Sequence, residues 1–305
     1  MFDTYGSDAM RWYVLSSTIL RGTDLSVTED GIRDSVRHVL LPIWNTWHFL
    51  SLYANAEHRR GTQRTDSTDV LDRYILSKTG DLVGQVTSAM DDYDLFAACG
   101  AIRSFLDALT NWYVRRSRER FWAGDQDAVD TLHTVLGALC RVAAPLLPLT
   151  TESIYRDLTG ERSVHLADWP SSAEFPSDTN LVESMDLVRD VCSSTLRVRK
   201  AHQRRVRQPL ASLTVAVADA DRLAPFVALI TDETNVKRVE LTADVDAVAS
   251  YELQPVPAAL GPRLGGQTQQ VIKAIKAGDW QRTADGVVAG GIPLVEGEYQ
   301  LRMVV

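Results

Sequence analysis

Apolar positions recur at helical spacing through most of the first half of the chain and give way to short runs that read as strands beyond about residue 210. Leu71, Tyr74, Ile75, Leu82 and Val86 share one helical face. Another face, beginning near Asp94, runs through Ile102, Phe105, Leu106, Leu109 and Tyr113, and a further helix spans Asp127 to Ala143. Pro145 and Pro148 break it before T-T-E-S-I-Y-R-D-L starts the next. Nearer the start, a capped helix opens at Ser7 or Asp8, and its apolar set of Met10, Tyr13, Val14 and then Leu20 calls for a partner surface. A second helix opens near Thr28 with Glu29 and Asp30 in its first turn, where the helix dipole favours acids, and Pro42 kinks or restarts it. The polar stretch from Glu57 to Ser67 is a loop. Short connections between amphipathic helices predict an antiparallel bundle.

After His165–Pro170 the turn-forming run S-S-A-E-F-P-S-D-T-N reads as a linker. Beyond it come a helix over about Asn180 to Arg205, the strand-like runs L-T-V-A-V-A, V-K-R-V-E-L and Y-E-L-Q-P-V, a short helix near Asp221 to Ile230, and a helix over Gly265 to Lys276. A final pair, I-P-L-V and Y-Q-L-R-M-V, flanks the turn E-G-E. The expected fold is mainly α: an antiparallel helical bundle followed by a small α+β C-terminal domain. Residues 1–60 would form stem helices, 68–170 the bundle and 180–305 the α+β domain.

Composition narrows the function. The 305 residues, 45% hydrophobic and 24% charged, are ordinary for a globular protein and long enough for about two domains. A net charge of -8 argues against indiscriminate nucleic-acid binding, so any such contact must come from local basic clusters. Cys99, Cys140 and Cys192 are far apart and form no C-x-x-C pair, which reads as free thiols in a reducing compartment and not as a zinc site. No apolar run approaches membrane-spanning length and no signal core follows the N-terminus, so a cytoplasmic location is expected.

The densest chemistry lies in Asn111–Trp122, N-W-Y-V-R-R-S-R-E-R-F-W, with four arginines and four aromatics. Such a mixture suits single-stranded RNA, because guanidinium groups neutralise phosphates and aromatic faces accept unpaired bases. It equally suits a helix whose aromatics are core and whose arginines pair with acids on a neighbour. A helical wheel at about 100° per residue divides the arginines. Arg116 and Arg120 continue the apolar stripe, favouring structural pairing with acids such as Asp91, Asp92 and Asp94, whereas Arg115 and Arg118 point away and are better placed for RNA. Trp112, Tyr113 and Trp122 are candidate stacking platforms. A second cluster, L-R-V-R-K-A-H-Q-R-R-V-R, carries Arg197, Arg199, Lys200, Arg204, Arg205 and Arg207 with no acid. It reads either as the solvated end of a helix or as a phosphate-contact surface.

No catalytic constellation is present: no Walker loop, G-x-G-x-x-G, H-E-x-x-H or G-x-S-x-G. Gly261, Gly265 and Gly266 are explained by a helix start, and His48, among Trp44, Trp47 and Phe49, reads as a packing residue. The chain alone is expected to catalyse nothing and to hold no metal.

The runs F-D-T-Y-G-S-D-A-M-R-W-Y-V-L, N-W-Y-V-R-R-S-R-E-R-F-W, A-P-L-L-P-L-T-T-E-S-I-Y-R-D-L and V-H-L-A-D-W-P together resemble the C-terminal half of the class I isoleucyl-tRNA synthetases, in their long form. The proline and T-E-S-I-Y segment is shared with the valyl, leucyl and methionyl enzymes, while N-W-Y-V-R-R-S-R favours the isoleucyl one; V-R-Q-P-L and L-G-P-R-L-G resemble its C-terminal domain. The resemblance implies a parent that activates isoleucine with ATP and Mg, loads it onto tRNA(Ile) and edits mischarged valyl-tRNA. The HIGH motif, the KMSKS loop and the editing insertion are absent from this sequence, and the family's zinc elements lie outside it, so Met1 reads as an engineered start on a fragment. What the resemblance implies for this chain is an anticodon-binding module, monomeric, with tRNA(Ile) and the missing catalytic domain as partners and neither DNA nor membrane. The alternatives are the equivalent part of a valyl or leucyl enzyme, or a helical scaffold that docks a protein through Trp44, Trp47 and the N-terminal helix.

Overall fold

The computed structural model describes residues 2–246, 248, 250–283 and 286–304. Two compact units are present, residues 1–189 and 190–305.

The first unit is helical. Its elements are α1 (Phe2–Tyr5), α2 (Ser7–Leu15), α3 (Glu29–Ser35), α4 (Leu41–Ala56), α5 (Val70–Asp91), α6 (Leu95–Asp107), α7 (Arg118–Trp122), α8 (Gln126–Ala143) and α9 (Pro148–Thr159). The boundary between the units falls inside α10 (Thr179–Ala201). Side-chain caps set several starts: Thr28 accepts from Gly31 N, Asp69 from Leu71 N and Asp72 N, Asp94 from Ala97 N, and Asp125 from Asp127 N and Ala128 N. The core forms where α5 packs against α6 and α8. Tyr74, Ile75, Leu76 and Val86 meet Ile102, Leu106, Leu132, Val135, Leu136 and Leu139, all fully buried. Burial of each aliphatic side chain stabilises by roughly 1.5–3 kcal/mol.

Two helical stretches widen into π turns. Val36–Leu40 lies just before Pro42, which has no N–H to continue the α-helical ladder, and Ala108–Val114 extends α6. Helix α2 buries Ala9 and Trp12, while Met10, Tyr13 and Val14 are half-buried and Leu20 is exposed. The buried Asp8 carboxylate sets this rotation by accepting from Leu149 N (3.1 Å) and Thr150 N (2.7 Å), so that α2 caps the start of α9. The turn-rich run after Pro170 lies against α5: Ser171 and Glu174 form a capping box, and Phe175 is buried beside Gly80, where a Cβ would come within 3.1 Å of the Phe175 Cβ.

The second unit is α+β. Strand β1 (Leu213–Ala216) pairs in parallel with β2 (Val239–Thr242) across a crossover containing α11 (Val227–Thr234). β3 (Ser250–Pro255) is followed by α12 (Pro257–Leu264), α13 (Thr268–Lys276), the antiparallel meander β4 (Trp280–Thr283), β5 (Gly286–Ala289) and β6 (Ile292–Leu294), and then β7 (Tyr299–Val304). Leu253, Leu260, Val271, Val287 and Leu294 form its core.

The closing strands are not a hairpin: β6 pairs with β5 and β7 with β3. Glu298 turns the chain between them, accepting from Val295 N (2.9 Å) and from Arg263 Nε (2.6 Å). Gly261 and Pro262 lie inside α12, a helix not anticipated, and Gly265 ends it at φ 50°, a left-handed value that suits glycine. Strands β4 and β5 were also not anticipated. Cys99, Cys140 and Cys192 are buried and form no disulfide among the described residues, and no helix among these is long and apolar enough to cross a membrane.

Candidate nucleic-acid interface

The arginine and aromatic run begins inside the π turn that extends α6 and ends in α7. Its first two aromatics face inward: Trp112 is 4% exposed and Tyr113 is 0% exposed. The Tyr113 hydroxyl donates to Asp72 Oδ1 at 2.8 Å, and burial pushes its pKa well up, which keeps it a donor. Neither ring is available to stack on a base. The same apolar stripe that carries Ile102 and Leu109 carries Tyr113 into the core, so Trp112 and Tyr113 are core residues and not stacking platforms.

Arg120 is the anchor beneath the run. Its two Nη atoms donate to the two carboxylate oxygens of the fully buried Asp72 at 2.8 Å each, and its Nε donates to Asp125 at 2.7 Å. Asp69 lies 3.1 Å from it. Burial opposes the charge of Arg120, but hydrogen bonds to Asp72 and Asp125 outweigh it and hold the guanidinium above its ordinary pKa. Because Asp69 and Asp125 also cap α5 and α8, Arg120 ties α7 to the starts of both helices. The acids anticipated for this role, Asp91, Asp92 and Asp94, sit at the opposite end of α5; Asp94 pairs with Arg21 at 3.0 Å. Antiparallel packing explains this, since the continuation of α6 meets the beginning of α5 and not the turn that joins them. Arg116, one turn earlier, is half-buried.

Arg115, Arg118 and Trp122 form the outer face and are exposed. The Arg115 Nε donates to the Asn111 carbonyl at 2.8 Å. The Arg118 guanidinium lies 5.9 Å from the centre of the Trp122 ring, a cation–π approach, and the Trp122 Nε1 donates to the Tyr53 hydroxyl at 2.6 Å. That bond fixes one edge of an indole that is still 56% exposed. Phe121 anchors the turn from below, its ring 4.9 Å from that of Phe49. The Arg59 guanidinium comes close to Gly124, just past Trp122. Tyr53 and Arg59 were missed in the sequence; the only signal was their place at the end of the apolar L-S-L-Y run and the start of the polar loop.

The second cluster belongs to the second unit. Arg197, Lys200, Arg204, Arg205 and Arg207 are exposed and make no ion pair among the described residues. Arg199 differs: only 3% exposed, it donates to the carbonyls of Thr234 (3.3 Å), Arg205 (2.6 Å), Val206 (3.2 Å) and Gln208. It is a strut for the turn after α10 and not a phosphate ligand. His48 is exposed and not packed, since the buried face of α4 is Ile43, Thr46, Leu50 and Ala54.

Residues 72–216 match the family model described as the anticodon-binding domain of tRNA ligases. Across its whole length the chain is similar to one such enzyme, isoleucine–tRNA ligase. Identity is 58% with the enzyme of Nocardia farcinica and 56% with that of Mycobacterium tuberculosis, covering 100% of this chain and 29% of each relative. With the Leifsonia xyli enzyme it is 54%, over 100% of this chain and 28% of the relative. The chain thus spans less than a third of the length of these relatives.

Proposed function

We propose that this chain is the tRNA-holding part of an isoleucine–tRNA ligase and grips tRNA(Ile) by its anticodon arm. The observation that carries this reading is the exposed Trp122 ring, held by Tyr53 with Arg118 beside it, on a helix locked in place by the Arg120–Asp72 pair. An edge-fixed indole with an adjacent guanidinium offers one unpaired base a stacking face and its phosphate a counter-charge at little ordering cost. Arg115 extends the basic face, and Arg197, Lys200, Arg204, Arg205 and Arg207 supply a second patch for backbone phosphates. Amino-acid activation with ATP and Mg, editing and zinc binding would belong to the remainder of the longer protein. The chain would work as a monomer in the cytoplasm. The relatives at 54–58% identity support the isoleucyl reading over the valyl or leucyl alternative.

A filter-binding titration at physiological salt tests it. Trp122→Ala should weaken tRNA(Ile) binding by about 5- to 150-fold, the range expected for one stacked base, and should narrow the preference over an unrelated tRNA. The proposal fails if the chain binds both tRNAs equally and neither Trp122→Ala nor Arg118→Ala changes that.

A further inference from the structure

The two π turns of the first unit, Val36–Leu40 and Ala108–Val114, line the same cleft, whose volume is 290 Å³. The first contributes Arg37 and His38, the second Thr110 and Asn111, and the last two turns of α6 contribute Arg103 and Asp107. A π turn carries one residue more than an α turn and is often found where a helix must re-aim side chains at a functional site. Two of them facing one cleft is a specific arrangement.

The charges in the cleft do not balance. Arg37 and Arg103 are exposed and neither makes an ion pair among the described residues. His38 Nε2 lies 3.9 Å from Asp34 Oδ1. Asp107 is the single acid lining the cleft, and it is already engaged: Oδ1 accepts from Asn111 Nδ2 at 2.6 Å and Oδ2 from Arg189 Nη2 at 2.7 Å. Two arginines lining one small concavity without an acid of their own favour an anion there, and a tetrahedral phosphate matches the donors of guanidinium groups.

We propose that this cleft is a phosphate-binding site that takes one backbone phosphate of the bound RNA. The inference rests on the reading of the chain as a tRNA holder. RNA is favoured over a small anion because part of the cleft lining belongs to the helix that continues to the exposed face. Asn111 lines the cleft, its carbonyl accepts from Arg115, and Arg118 and Trp122 follow further along. A strand stacked on Trp122 and running back along this helix would place a phosphate between Arg37 and Arg103.

The test uses the 305-residue chain, the double variant Arg37→Ala/Arg103→Ala, and a control of equal charge change, Arg156→Ala/Arg162→Ala, whose residues do not line the cleft. Binding of tRNA(Ile) and of an unrelated tRNA is measured against salt, with thermal unfolding alongside. Phenylglyoxal modification read by mass spectrometry reports protection of Arg37 and Arg103 by tRNA and, separately, by inorganic phosphate. Loss of one phosphate contact should reduce the slope of log K against log salt by about 0.7–0.9 and weaken binding about fivefold at 0.15 M salt. The loss should be the same for both tRNAs, with unfolding unchanged, and tRNA should protect both arginines. If wild type binds tRNA but the double variant keeps the wild-type slope, or behaves as the control does, the cleft assignment is overturned and the tRNA-holding reading stands. If wild type binds no tRNA, that reading falls and the RNA assignment of the cleft with it, even where inorganic phosphate protects the two arginines.

Discussion

Replacing Asp72 by Ala should be among the most damaging single substitutions in the first unit. The carboxylate is fully buried and accepts from four donors: Ser67 Oγ at 2.7 Å, and Tyr113 Oη and both Nη atoms of Arg120 at 2.8 Å each. Removing it leaves the Tyr113 hydroxyl buried without its acceptor, at about 1–3 kcal/mol. Arg120 keeps Asp125 and Asp69, which softens its share, so the total should be about 3–5 kcal/mol, as for breaking other buried ion pairs. For a unit of this size that corresponds to a fall in Tm of roughly 6–20 °C. Tryptophan fluorescence isolates the effect, because Trp12, Trp44, Trp47, Trp112, Trp122 and Trp169 lie in the first unit and only Trp280 in the second. Urea unfolding of wild type, Asp72→Ala, Arg120→Met and the double variant completes a cycle, and a coupling energy of at least about 1 kcal/mol is expected. A loss below about 1 kcal/mol for Asp72→Ala, or no coupling to Arg120, would refute the anchor.

Three further outcomes are expected. Gly61→Ala places a Cβ 2.6 Å from that of His133, and the loop cannot retreat because Thr62 N is held by Asp130 and Arg64 N by Thr134, each at 2.8 Å; urea unfolding should show a loss of about 1–3 kcal/mol, and an unchanged midpoint would contradict the packing. Burial holds the pKa of His133 below its ordinary value of 6.5, so below that pH the unfolded chain takes up a proton that the folded chain refuses. Stability should therefore decline as pH falls from about 7 and level off once the folded-state value is passed; in His133→Gln this part of the slope should vanish, and parallel pH profiles for the two proteins would rule it out. Arg199→Ala removes one donor from each of four carbonyls and should speed tryptic cleavage within Arg204–Arg207, whereas equal cleavage rates would show that the strut does not hold that turn.

What could be read in the sequence was what local periodicity determines. The apolar faces of α5 and α6 and the helix starts near Thr28 and Asp94 emerge as expected because spacing and helix-start signals are local. The wheel correctly turned Arg115 and Arg118 outward and Arg120 inward, but it could not name Asp72, which is 48 residues away and chosen by the antiparallel packing of α5 and α6. Tyr113 lay on the apolar stripe in that same wheel, and its aromatic character had nonetheless suggested RNA. Arg199 resembled its basic neighbours, because the carbonyls that bury it belong to the following turn and to Thr234. Strand pairing in the second unit was hidden for a similar reason: β7 passes over its sequence neighbour β6 and joins β3.

The π turn at Ala108–Val114 also decides how the chain tolerates insertions and deletions. It stores one residue beyond what an α-helix would hold, and each residue of an α-helix turns the chain by about 100°. Deleting a single residue there would restore a regular helix and swing everything beyond it by that angle. Arg120 would leave Asp72, and Trp122 would leave Tyr53, although every side chain of the arm would still be present. The angular setting of the arm therefore depends on residue count in this segment, and a loop deletion of the same size elsewhere would leave it untouched.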